Sequence, residues 1–227
     1  MSRNRQRHAA ERLTFSYGLS KALALQVVRG QIDLTEALRQ DKQDKDIARL
    51  VNEHKLHHSL AVQVARGELD ETEVLHRVHG KRMAEERQGH SIWATALEAE
   101  QAVVLFMHDQ KKAQIQLKSV GQYDIQSQTG ASISKVNIKL AHLADFNFEF
   151  EQEEAACCPP IERPENRFRI SNSRLYALHL SERILEVSLL EGLLSRGRLL
   201  WFNQWELGLE NEQGPFSVFR HAITQIK

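Results

Sequence analysis

The segment LSKALALQVVRGQIDLTEALRQ, beginning at Leu19, returns as LHHSLAVQVARGELDETEVLHR, beginning at Leu56, 37 residues further on. A repeat of that period narrows the possible folds sharply, because self-similarity in this range is the mark of stacked helical hairpins. In each copy an i, i+4, i+8 stripe, Leu19, Leu23 and Val27 or Leu56, Leu60 and Val64, puts one apolar face on a short helix. Gly30 and Gly67 fall where a helix C-terminus takes a left-handed residue. Asp33 with Glu36, and Asp70 with Glu73, have the spacing of capping boxes that open a second helix. Each copy predicts a helix-turn-helix hairpin, and the pair predicts an α-helical repeat domain over residues 1–89. The second helices begin acidic, which argues against their reading DNA. His54 with His58, and His76 with His79, could share helical faces, but no cysteine or carboxylate set completes a metal site. No metal or other cofactor is expected.

Past the basic stretch GKRMAEERQGH at residues 80–90 the period changes from helix to strand. AVVLFMHDQKKAQIQLKSVGQYDIQSQTG is rich in β-branched residues, alternates, and carries turn signals at His108-Asp109 and Thr129-Gly130. LEVSLLEGLLSRGRLLWFNQWELGLENEQGPFSVFRHAITQI repeats that grammar, with turns at Glu191-Gly192 and around Gly214. Each stretch suits about five short strands, enough for a small barrel, and each follows a candidate short helix, SIWATALEAE at 91 and SNSRLYALHLSE at 171. The expected fold class is α+β multidomain: helical hairpin repeats, a first five-stranded β-barrel at 90–150, a linker at 151–168 and a second at 169–227. The adjacent Cys157 and Cys158 sit in that acidic linker, with neither disulfide nor zinc spacing.

The second β unit resembles the Sm-like fold of the bacterial RNA chaperone Hfq. Its EGLLSRGRLLWFNQWELGLE is similar to the family's first motif, with Phe202, Asn203, Gln204 and Trp205 in the Phe-Asp-Gln-Phe positions. The closing VFRHAITQI is similar to the family's Tyr-Lys-His-Ala-Ile, through Phe219, Arg220, His221, Ala222 and Ile223. In the first unit Val120, Gly121, Gln122 and Tyr123 fill the first motif, and VNIKLAHL offers Lys139 and Ala141 in the second, with Leu140 where the histidine would fall. The resemblance does not reach the helical repeats. It implies two Sm-like barrels per chain, a homotrimer closing a pseudo-hexameric ring, and U-rich single-stranded RNA on its proximal face. Ser188 and Leu194 replace the distal-face Tyr and Lys, so adenine-rich RNA is not expected there, and Arg183, beside Glu182, is all that remains of the rim arginine cluster.

The chemistry of these residues agrees. Trp205 and Tyr123 can stack on unpaired bases, Gln204 and Gln122 can bond base edges, and Arg220, Lys139 and His221 can meet phosphate or a uracil oxygen. A buried strand has little use for an adjacent Arg-His pair. The 30 basic and 30 acidic side chains cancel, so RNA binding must come from such a local patch. The expectation is a cytoplasmic RNA-binding protein of post-transcriptional regulation, not an enzyme, since no phosphate loop, paired carboxylates or nucleophile motif is present. The alternative is an oligomerisation scaffold whose helical repeats recruit a protein partner. No apolar run is long enough to span a membrane.

Overall fold

A computed structural model describes residues 3–87, 90–108, 110–152, 161 and 163–227. Cys157, Cys158, most of the linker between them and the second β stretch, and Asp109 of the first turn signal lie outside the described residues. The chain divides into two compact units, residues 1–75 and 76–227.

The first unit holds α1 (Arg3–Tyr17), α2 (Lys21–Val28), α3 (Leu34–Asn52), α4 (His58–Ala65) and the start of α5 (Glu71–Glu86). The predicted caps form as the sequence requires. The Asp33 carboxylate accepts from the Glu36 amide and that of Asp70 from the Glu73 amide, each at 2.8 Å. α2 and α4 end at Gly30 (φ 70°) and Gly67 (φ 73°), and the next amide reaches back to Gln26 and Gln63 respectively, closing the carbonyls of the last turn. Leu19, Leu23, Ala24 and Ala37 form the core of the first hairpin together with Ala10 of α1.

In the second unit, α6 (Ile92–Glu98) is capped by Ser91 and followed by β1 (Ala102–Met107), β2 (Lys112–Val120), β3 (Asp124–Ser127), β4 (Ser132–Ser134), β5 (Ile138–Leu143) and the two-residue β6 (Glu151–Gln152). Then α7 (Asn172–Leu180), capped by Ser171, precedes β7 (Ile184–Leu189), β8 (Leu193–Phe202), β9 (Glu206–Asn211), β10 (Gly214–Phe219) and β11 (Ile223–Ile226). All pairings are antiparallel, and the order along the sheet is β11-β7-β8-β9-β10-β5-β1-β2-β3-β4, with β6 pairing β8. Gly208 stands on β9 opposite Trp201 because any Cβ there would overlap the Trp201 indole.

This corrects the expected fold class. The strands do not close into two separate five-stranded barrels; they form one open antiparallel sheet, continuous through the β5–β10 pairing, Phe216↔His142, Ser217↔Ala141 and Val218↔Leu140. The physical reason lies in β5. IKLAHL is buried at every position and has a partner on each side, β1 and β10, so it has no solvent face or free edge on which a separate barrel could end. Side chains cross the join as well. Leu140 of the first half packs into the core of the second with Phe202 and Leu207, while Phe219 of the second half packs with Trp93 and Ile138 in the core of the first.

The two halves still repeat each other. Each places its last strand beside its first, giving β5-β1-β2-β3-β4 and β11-β7-β8-β9-β10. A short 3-10 turn before each last strand, Lys135–Asn137 and Arg220–Ala222, matches one turn to the other.

Candidate functional site

The corners β2–β3 and β8–β9 are built alike. The Gly121 amide donates to the Asp124 carbonyl at 2.9 Å, and the Asn203 amide to the Glu206 carbonyl at 3.0 Å. Across each corner lies the 3-10 turn of the same half. Its first amide bonds the aromatic residue's carbonyl, Lys135 to Tyr123 (2.8 Å) and Arg220 to Trp205 (2.9 Å). Its first side chain bonds the carbonyl two residues earlier, Lys135 Nζ to Gly121 (2.7 Å) and Arg220 to Asn203 (3.0 Å). Asn203 locks the second corner: its buried side-chain oxygen accepts from the Trp205 and Glu206 amides, and its Nδ2 donates to the His90 carbonyl.

These corners face a cleft of about 830 Å³ at the β5–β10 join, lined also by α6 and by Arg167. Of the residues whose chemistry suggested RNA contact, Gln122, Tyr123, Trp205 and His221 line it, and the motif residues Val120, Asn203 and Phe219 line it too. Tyr123 is 72 % exposed and Trp205 58 %, so both rings offer a face to solvent instead of packing in a core. Gln122 is exposed and donates to the Tyr123 hydroxyl at 3.0 Å. Gln204 is exposed but does not line the cleft, and Arg183 is exposed at the start of β7.

Three basic residues play other parts than the sequence suggested. Lys139 is 1 % exposed, and its Nζ pairs with Glu191 of the other half at 2.8 Å, away from the cleft. The Arg220 guanidinium is held by the Asn172 side chain and the carbonyls of Asn203 and Ile170, and burial depresses its pKa. His221 reaches the cleft as a neutral ring: burial, reinforced by the Arg167 charge, pushes its pKa down to about 4. Its Nε2 lies 2.9 Å from the Ile138 carbonyl, which can only accept, so Nε2 carries the proton of the neutral ring.

Several cleft residues escaped the sequence reading. Lys135 and Val136 hold the places that Arg220 and His221 hold in the second half, four residues before the alignment that pointed to Lys139. Lys135 and Arg167 supply the cations, with the Lys135 pKa lowered by burial. Trp93 forms part of the lining from α6, stacked on Phe219 at 5.5 Å. Glu206 is buried at the cleft, where desolvation lifts its carboxyl to about 7 against the pull of the Ser91 hydroxyl, the Ile92 amide, the Lys135 charge and the Ser217 hydroxyl. An acid directly after Asn-Gln-Trp was the one signal in the sequence that pointed to it.

Such a cleft can stack flat rings, meet phosphate with Lys135 and Arg167, and offer hydrogen-bonding groups within. The described residues contain no group of three or more His, Cys, Asp or Glu able to hold a metal. No helix of the described residues is long and apolar enough to cross a membrane. The chain matches no known protein-family profile and no curated protein sequence.

Proposed function

We propose that residues 76–227 bind single-stranded, U-rich RNA in the cleft at the β5–β10 join, in the cytoplasm and in post-transcriptional regulation of the Hfq kind. The observation that carries this reading is that two separately folded corners bring one exposed aromatic ring each, Tyr123 and Trp205, to a single cleft that also holds Lys135 and Arg167. Unpaired bases stack on such rings, and the cations hold the connecting phosphates. Binding is the whole of the role; no chemical step is assigned.

The same reading includes a homotrimer. Among the described residues β4 and β11 each have a neighbour on one side alone. They match β10 and β5, which pair where the halves meet, so β4 of one copy can pair with β11 of the next and set a like cleft at each junction.

The test is an anisotropy titration of a labelled uridine hexamer with the wild-type chain and with Trp205→Ala. The stacked ring is worth about 1–3 kcal/mol, and affinity falls as salt rises. Equal affinity for both proteins would remove Trp205 from the site.

A second reading, an oligomerisation scaffold whose helical unit recruits a protein partner, is favoured by exposed Phe15 and Tyr17 on α1 and by the zero net charge. Protein purified without nuclease and free of nucleic-acid absorbance would support it.

A further inference from the structure

Two buried polar atoms in the cleft have no partner. Trp93 is 2 % exposed, and its indole N–H meets no acceptor; Glu206 is 5 % exposed, and its Oε1 accepts from the Ser91 hydroxyl at 2.8 Å, while its Oε2 has no partner at hydrogen-bond geometry, the Ile92 amide and Ser217 hydroxyl acting on the carboxyl only as weaker neighbours. Leaving a buried donor or acceptor unmet is costly. The matching acid of the first half is not left so: the Asp124 carboxylate accepts from the Gln126 and Ser132 side chains. One orphan donor and one orphan acceptor thus belong to residues that line a single cavity beside two stacking rings. Neither atom is reached by bulk water, so a ligand engages them only as a cleft side chain gives way.

Building on the RNA-binding reading, we propose that Glu206 and Trp93 read the lactam edge of a base, a ring N–H beside a carbonyl: Glu206 accepts from the N–H and Trp93 donates to the carbonyl. Uracil and guanine carry that edge. Adenine and cytosine present a bare ring nitrogen at the corresponding position, which repels the ionised Glu206 carboxylate, the form that prevails above about pH 7. The pair is a specificity device separate from the stacking, which accepts any base.

The experiment uses the full chain at pH 8, where Glu206 is ionised, and four labelled hexamers, of uridine, 3-methyluridine, cytidine and adenosine. Methylation at N3 deletes the ring N–H and keeps the ring face. Wild type binds the uridine hexamer about tenfold or more tighter than the other three. Glu206→Gln, whose amide both donates and accepts, brings uridine and cytidine within about threefold of each other. Trp93→Phe, which keeps the ring and loses the N–H, weakens uridine binding several-fold, and its melting curve shows that it folds. Equal binding of uridine and 3-methyluridine by wild type, or full discrimination retained by Glu206→Gln, overturns the proposal and leaves RNA binding standing. Failure of every hexamer to bind overturns both.

Discussion

Arg220 shows how a residue of RNA-binding type can be taken up by the fold. Its guanidinium satisfies two backbone carbonyls and the Asn172 side chain, so Arg220→Ala leaves partly buried acceptors unpaired and is expected to destabilise the second unit by about 2–4 kcal/mol. All three tryptophans lie in that unit, so a urea titration followed by their fluorescence reads it directly. An unchanged midpoint would show the arginine to be free. The titration of Glu206 and His221 gives a second expectation. The Glu206 carboxyl, raised to about 7, contributes stability that is full below about pH 4.5 and lost as the pH rises through about 7. His221, lowered to about 4, has the opposite sign: its contribution is present above 6.5 and lost as the pH falls through about 4. In wild type the two trends oppose each other over the interval between. Glu206→Gln leaves the histidine trend alone, so the variant gains on wild type by about 2–3 kcal/mol from pH 5 to pH 8. A constant difference between the two proteins would contradict a buried carboxyl. Tyr123 and Trp205 were legible in the sequence because each follows a glutamine in matching contexts. Lys135 was not, because VNIKLAHL offered a lysine four residues downstream, and only the 3-10 turn fixes which of the two faces the corner.

The strand β5 and its partners decide whether the halves are one body. Lys139 of β5 meets Glu191, which sits between β7 and β8 in a left-handed conformation (φ 64°) with its carboxylate buried and His108 Nδ1 at 3.4 Å. Removing the cation leaves that carboxylate charged in the interior. Lys139→Met is therefore expected to cost about 3–5 kcal/mol, and adding Glu191→Gln to recover more than half of it. Additive losses in the double variant would refute the pairing. Helices and strands could be read from caps, glycines and alternation, as the Asp33 and Asp70 caps and the turn at Gly130 illustrate. The β5–β10 pairing could not. A run buried on both faces has no alternation to set its register, and its partner lies some seventy-five residues away, from Ala141 to Ser217. Alternation and turn signals alone predict two barrels where a shared strand pair makes one sheet.

The sheet ends in two edges that match the strands paired at its centre. Light scattering is expected to give three times the 26.1 kDa of one chain, and a monomer mass would leave β4 and β11 without the proposed partners. RNA binding in the cleft itself is read out by photocrosslinking. A 4-thiouridine hexamer irradiated with the full chain and mapped by mass spectrometry is predicted to label the tryptic segments 119–135 and 199–220, which carry Tyr123 and Trp205. Crosslinks confined to residues 1–75, or none at saturating RNA, would contradict it.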